Sequence, residues 1–378
     1  MNSIADLYQQ AQLSEAAYAD FDRYPTVAKA LEAEGMSTAQ ADDFVTHWKI
    51  IAHQTETASG YSATLFESLD TPGKFSYGIR GTKGPADLSA DINDIVTDGL
   101  AIDQLVDLYN DWQRITHAGV YQAAVLTTLT DETINYNLAR TGAAIPVLGL
   151  AATVYLALLR ARTDIIIDEP LGLVRKIEFK NSNLAFADER ATGLNKLPDA
   201  GNVTVTGHSL GGHLAAAFSR LFGANAITIN GAGFATGLIP GTSGNAPTNI
   251  RNLFAKLGGA AAFDSSRIQN VHGDGWNFVT MNSPVGLAQP GSPPLEIYIE
   301  NVGWDNKFGH GSPQMVDSLA LYNLLAKLDL TLNTGAPSSI AKITALLKAG
   351  FGRQKNLTKN LSTAINTDMQ RGKHPCLG

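Results

Sequence analysis

Val203-Thr204-Val205-Thr206-Gly207-His208-Ser209-Leu210-Gly211-Gly212-His213-Leu214-Ala215-Ala216-Ala217 is the stretch around which the rest of the chain is organised. Its first four residues are β-branched, the composition of a short strand. Its last four, Leu214 to Ala217, are strong helix formers. Between them Gly207-x-Ser209-x-Gly211 fits a tight strand-to-helix turn that holds a serine in a strained conformation, with its hydroxyl at the top of a sheet. Glycine at the −2 and +2 positions lets strand and helix cross closely, where a Cβ would collide. The bare pattern arises by chance and also suits a serine that merely packs strand on helix. A strand directly before it and a helix directly after it give it the context of a nucleophile elbow.

Outward from this turn, strands are expected at 172–179, 203–206, 226–230, 267–271 and 295–299. Helices are expected at about 183–195, 210–222, 248–258 and 313–328. Such alternation implies a mostly parallel sheet with helices on both faces. Upstream, Ser3 with Asp6 caps a helix over 3–21, and two short helices follow at 25–35 and 37–47. Segments 48–57 and 61–68 read as a hairpin around Ala58-Ser59-Gly60, with a third strand at 74–79. Segments 102–117 and 121–140 read as helices.

Gly207-His208-Ser209-Leu210-Gly211-Gly212-His213-Leu214-Ala215 resembles the elbow of α/β-hydrolase lipases, particularly the class 3 (fungal-type) family. Phe75-Ser76-Tyr77-Gly78-Ile79-Arg80-Gly81-Thr82 is similar to that family's strand ending in Arg-Gly-Thr. The resemblance covers roughly 45–330, and only these two motifs are specific; the segment between them is much longer than in the family. It implies an α/β-hydrolase fold with antiparallel strands at the start of the sheet. The implied organisation is N-terminal helices over 1–47, a hydrolase domain over 48–330 with a helical insertion at about 100–165, and a basic helical extension over 331–378.

A serine hydroxyl is a poor nucleophile, so it needs a base to take its proton and a third group to orient that base. In α/β-hydrolases these follow in the order serine, acid, histidine. His213, His272, His310 and His374 come after Ser209. His213 lies one turn along the nucleophile's own helix, and His374 sits in a basic terminal tail. His310, in the loop Lys307-Phe308-Gly309-His310-Gly311-Ser312-Pro313 before a helix, is the expected base. Asp274, between Gly273 and Gly275 at the end of the preceding strand, is the expected acid; Asp264 and Asp305 are weaker candidates, and His272 lies at the edge of the site. The oxyanion needs two N–H donors. Leu210 supplies one, and the Arg-Gly-Thr resemblance implies Thr82 for the other, with Arg80 in a structural ion pair. This chemistry needs no cofactor.

Residues 141–159 are nineteen uncharged residues, between Arg140 and Arg160. That length reaches the threshold for a membrane span, but Gly142, Pro146 and Gly149 interrupt it, and a span here would cut the hydrolase domain in two. A core-packed helix and a mobile apolar lid are the two better readings, and the family keeps its lid in this place. Asp87, Asp91, Asp94 and Asp98 are hard ligands of the type calcium takes, although caps and solvated loops account for them as well.

The net charge is −7, which excludes a general nucleic-acid binder. Residues 331–378 nonetheless hold seven cations against Asp368, a local charge of +6 that suits peripheral contact with an anionic surface. The single Cys376 leaves no intramolecular disulfide. Residues 1–21 lack a basic start followed by an apolar run, so no signal peptide is expected. That fits a cytoplasmic protein, export by a signal-independent route, or a mature form. The expected function is a carboxylic-ester hydrolase acting on lipid, such as a triacylglycerol lipase. Phospholipase A1, a short-chain esterase, and a silent hydrolase-fold protein that binds lipid or a partner are the alternatives.

Overall fold

The computed structural model describes residues 2–83, 95, 98–145, 148–169, 171–197, 201–235, 245–259, 264–274, 287–299 and 310–350. The chain opens with helices α1 (Ile4–Ala16), α2 (Val27–Ala33) and α3 (Thr38–His47), followed by strands β1 (Trp48–Gln54), β2 (Ala63–Ser68) and β3 (Phe75–Ile79). Ser3 and Asp6 close a capping box on α1, and Ser37 and Gln40 another on α3. Each satisfies two N–H groups that a helix start leaves free.

Next come α4 (Ile102–Thr116), β4 (Gln122–Thr128), α5 (Thr130–Gly142), α6 (Gly149–Ala161), β5 (Ile165–Asp168) and β6 (Leu173–Asn181). The elbow lies between β7 (Val203–His208) and α7 (Leu210–Phe222). Then follow β8 (Asn225–Ile229), α8 (Ala246–Leu257), β9 (Ile268–Gly273), β10 (Leu295–Ile297) and α9 (Ser312–Leu328). A last helix starts at 337 and runs to 350.

Seven strands form the main sheet in the order β1-β2-β3-β7-β8-β9-β10. The first three pair antiparallel, and every pairing from β3 onward is parallel. This is an α/β-hydrolase-like arrangement. Its register sets Ile79 beside Gly207 and Ile229 beside His208, so the turns after β3, β7 and β8 leave the sheet at one level. One face buries Val205, Leu214, Phe218 and Leu105; the other buries Ile227, Ile229 and Val271 against Ile4 and Leu7 of α1 and Met315 and Leu319 of α9. Within the first core the Tyr61 and Tyr77 hydroxyls converge on buried Asp111, whose carboxyl desolvation pushes up to about 6.

The insertion departs from the expectation of a largely helical segment. Residues 122–128, expected as helix, are a strand that pairs along its length with β6. The run Val125-Leu126-Thr127-Thr128 suits that pairing better than an isolated helix start. β5, β6 and β4 form a separate three-stranded antiparallel sheet in the order β4-β6-β5, so 172–179 belongs there and not in the parallel sheet. The helix expected over 183–195 shrinks to Ser182–Ala185 and a 3-10 turn at Glu189–Ala191. The free edge of β5 is covered by side chains of α8. Asn249 donates to Ile167 O (2.8 Å) and accepts from Ile167 N (3.0 Å), while Asn252 donates to Ile165 O (2.9 Å).

Helices α5 and α6 cover this small sheet with a core of their own: Tyr136, Ala139, Ala152, Leu156 and Leu159 over Ile165, Ile167 and Val174. The opposite face of α6 carries Leu150 (78 % exposed), Val154 (50 %) and Leu158 (65 %), at successive turns. The segment is therefore buried on one side only. Among the described residues no helix is long and apolar enough to cross a membrane.

Candidate active site

Ser209 has φ 58° and ψ −121°, a backbone conformation that L-residues rarely adopt. The surroundings over-determine it. Ser209 N donates to Ile229 O (3.1 Å), and Ser209 O accepts from His213 N and Ala232 N, each at 3.1 Å. A Cβ on Gly207 would stand 2.2 Å from Gly211 O, and one on Gly211 would stand 2.2 Å from Ile79 O. Neither clash can relax, because both partners are backbone. The two glycines therefore permit the crossing of strand and helix on which the serine is raised.

His310 lies on the residue before Gly311, the cap of α9, and its Nε2 is 2.8 Å from Ser209 Oγ. Desolvation, with the neighbouring His208 and His272 rings adding to it, pushes the His310 imidazole down to about 3. It is neutral at pH 7, the form that accepts a proton from a hydroxyl. The two residues expected to act together are brought together.

Asp274 sits at the end of β9, but its carboxylate is engaged elsewhere. Oδ1 accepts from Ile299 N (3.1 Å) and Oδ2 pairs with Lys348 Nζ at 2.8 Å. The structure does not join it to His310. Asp264 pairs with Arg220 at 2.9 Å, and Asp305 and His374 lie outside the described residues. His272 is buried with Nε2 unpartnered, and burial pushes its imidazole to about 4. His213 packs edge-on against Phe234; its Nδ1 donates to Gly233 O (3.2 Å) and its Nε2 accepts from Ala101 N (3.4 Å). It therefore ties the start of α4 to the nucleophile helix.

Thr82 follows the turn after β3 and is half-buried. The glycine before it is obligatory, since a Cβ on Gly81 would meet Tyr18 Oη at 2.2 Å and His208 O at 2.4 Å. Arg80 is buried, bridges to Glu56 at 3.0 Å and donates to Gly60 O at 3.0 Å, which is a structural role. Leu210 N opens α7 directly after the serine, where helix N–H groups have no intrahelical acceptor. Of the four acidic residues considered for calcium, Asp98 is buried and accepts from Glu169 N (2.9 Å); the other three lie outside the described residues.

Three site residues escaped the sequence reading. His208 Nε2 lies 2.5 Å from His310 O, and its Nδ1 is 2.9 Å from Tyr18 Oη. Asn230 Nδ2 donates to the same His310 carbonyl at 3.3 Å. His208 occupies the variable position of Gly-x-Ser, and Asn230 follows a strand, so nothing local marks either residue. Tyr18 is 190 residues from its partner.

No family model matches this chain, and neither does any curated protein. Several solved structures are similar at the level of the fold. Lipase II from Rhizopus niveus shares 15 % identity over 79 % of this chain and 81 % of its own, with a TM-score of 0.34. A Rhizomucor miehei lipase in its propeptide complex shares 13 % over 79 % and 68 %, with a TM-score of 0.32. A triacylglycerol lipase from Penicillium expansum shares 14 % over 79 % of each, with a TM-score of 0.32.

Proposed function

We propose that the chain is a serine carboxylic-ester hydrolase acting on lipid esters, with Ser209 as nucleophile and His310 as base. The carrying observation is the 2.8 Å contact between Ser209 Oγ and His310 Nε2 at a strained elbow. In this reading His310 takes the hydroxyl proton as Ser209 Oγ attacks the ester carbonyl. The tetrahedral oxyanion is held by Leu210 N and Thr82 N, each donor being worth roughly 3 kcal/mol in the transition state. The imidazolium then protonates the leaving alcohol. Water, activated by the same imidazole, hydrolyses the acyl-enzyme and restores Ser209.

Asp274 is the proposed acid, from its place at the end of the strand beyond β8. To take up the His310 Nδ1 proton it must exchange Lys348 for His310. Lys348 is half exposed, and a surface ion pair of this kind is worth about 0–1 kcal/mol, a small barrier to the exchange. The lipid assignment rests on the exposed leucine face of α6, which would contact a lipid surface peripherally.

The test pairs a fluorophosphonate probe with a panel of p-nitrophenyl esters, triglyceride emulsions and phospholipid vesicles. Labelling that disappears in Ser209→Ala, with turnover of at least one ester class, is expected. A protein that neither labels nor turns over any ester would be the silent binding alternative. Turnover of vesicles in preference to emulsions would make it a phospholipase, and turnover of short esters alone an esterase.

A further inference from the structure

We infer that His208 and Tyr18 are positioning residues for His310, clamping the base through its main-chain carbonyl; this rests on the catalytic reading of Ser209 and His310 above. The protons can be assigned from the partners. A carbonyl oxygen only accepts, so His208 Nε2 carries the hydrogen and donates to His310 O at 2.5 Å. In a neutral ring Nδ1 is then an acceptor, and Tyr18 Oη donates to it at 2.9 Å. Burial supports this state, pushing the His208 imidazole down to about 4. One neutral tautomer satisfies both nitrogens, and the opposite tautomer would leave Nε2 facing a carbonyl with no hydrogen between them.

What His208 clamps is the root of the base, its main-chain carbonyl. His310 lies directly before Gly311, the cap of α9. Ring Nε2 meets Ser209 Oγ at 2.8 Å, the contact through which the proton would pass in the proposed reaction. The carbonyl is held independently of that bond, by His208 Nε2 and, at 3.3 Å, by Asn230 Nδ2. His208 is the residue immediately before the nucleophile. The same strand end that raises Ser209 therefore sets the height of its base, and the rings of His208 and His310 lie 4.9 Å apart at 46°.

Tyr18 connects a third part. Its hydroxyl also stands where a Cβ on Gly81 would fall, 2.2 Å away, so it packs on the turn leading to Thr82. One phenol thus registers the oxyanion turn, the elbow and the base against α1. An error of an ångström in such a constellation costs on the order of 10²-fold in rate. Loss of the clamp should therefore appear in kcat, with little change in KM.

The test uses the full chain with p-nitrophenyl butyrate. His208→Phe retains a ring and removes the donor; kcat should fall roughly 10- to 100-fold with KM within about two-fold. His208→Gln restores an N–H donor and should recover much of that loss. Tyr18→Phe should lower kcat by a smaller factor. The double variant Tyr18→Phe/His208→Phe should be no slower than His208→Phe, because residues acting through one another are not additive. Independent structural damage would instead multiply the two losses, and that result overturns the clamp, as does wild-type kcat in His208→Phe. If His208→Phe fails to fold, Tyr18→Phe decides alone, and an unchanged kcat there overturns the inference. Ser209→Ala separates the premises. If it is silent while His208→Phe is unimpaired, only the clamp fails; if it still turns over ester, the catalytic reading fails with it.

Discussion

The parallel half of the main sheet and the insertion carrying α5 and α6 solve packing in opposite ways. At the elbow, backbone meets backbone, and glycine is required wherever strand and helix cross. In the insertion, a small core of its own is roofed by two helices, and Leu150, Val154 and Leu158 are left in water. The first arrangement holds a strained serine in one place. The second leaves an exposed apolar face, the one on which the proposed lipid contact rests. Backbone-to-backbone contact is concentrated around Ser209, and the exposed apolar face lies on a helix of the insertion.

The sharpest way to break this comparison is at the reacting atoms. Ser209→Ala and His310→Ala should each lower kcat for a soluble ester by about 10⁴-fold or more with the fold intact. Asp274→Asn should cost somewhat less, on the order of 10²- to 10⁴-fold. Lys348→Ala, which frees the Asp274 carboxylate, should leave kcat unchanged or raise it. Steady-state rates with circular dichroism of each variant provide the check. Wild-type activity in Asp274→Asn would move the acid to another residue.

A pair of glycine substitutions comes next. Gly207→Ala should destabilise by about 3 kcal/mol or prevent folding, since neither the Gly211 backbone nor the sheet can yield. Gly142→Ala, at the end of α5, places its Cβ 4.0 Å from Ala152 Cβ and Leu148 Cβ, an ordinary contact. It should be neutral or stabilise by about 0.5–1 kcal/mol. Urea midpoints measure both, and equal effects would erase the distinction between the two regions.

Acid should act on the site half. The imidazoles of His208, His213 and His272 are pushed from 6.5 to about 4, and that of His310 to about 3, by burial in every case. Between those values and 6.5 the unfolded chain binds protons that the fold does not, so stability rises with pH in this window. The contribution is present above 6.5 and is lost as pH falls from there towards 4. Asp111 and Glu15, raised by burial to about 6 and about 7, act in the opposite direction. With four imidazoles against two carboxyls, the net expectation is a lower urea midpoint at pH 5 than at pH 7. An unchanged midpoint would mean that these rings are not buried as neutral groups.

The smallest effect on the fold is expected at α6. Leu150→Glu, Val154→Glu and Leu158→Glu should each change stability by no more than about 0.5 kcal/mol, because the side chains are already exposed. Turnover of a soluble short-chain ester should be spared. Turnover of a long-chain emulsion should fall, since a charge on this face weakens its contact with lipid. A loss of both activities together would make the face part of the folded core.

Much of the site was legible because its chemistry is local. Gly207, Ser209 and Gly211 fall within five consecutive residues, and the strand and helix that give them meaning are adjacent. His310 was reachable because chain order removes the histidines before Ser209 and placement in a loop before a helix separates it from His213. The insertion was misread where local preference is ambiguous. Residues 122–128 carry alanines as well as β-branched side chains, and pairing with β6, a segment far along the chain, made them a strand. Asn245 at the cap and Asn249 and Asn252 within α8 follow a helical spacing, a visible pattern, but only the docking of β5 shows that Asn249 and Asn252 stand in for a neighbouring strand.

The sequence by itself determined the strained turn, the serine on it and the parallel sheet that presents it, because each follows from sterics and hydrophobic period over a few neighbouring residues. Only the tertiary structure decided what surrounds them. It set His208 against the carbonyl of His310, 102 residues away, and engaged Asp274 with Lys348 from the C-terminal helix. It also turned one face of α6 inward and the other to solvent. Hydrogen bonds and ion pairs between distant segments carry no periodicity that a chain can display; they exist only once the sheet has brought their partners to the same end.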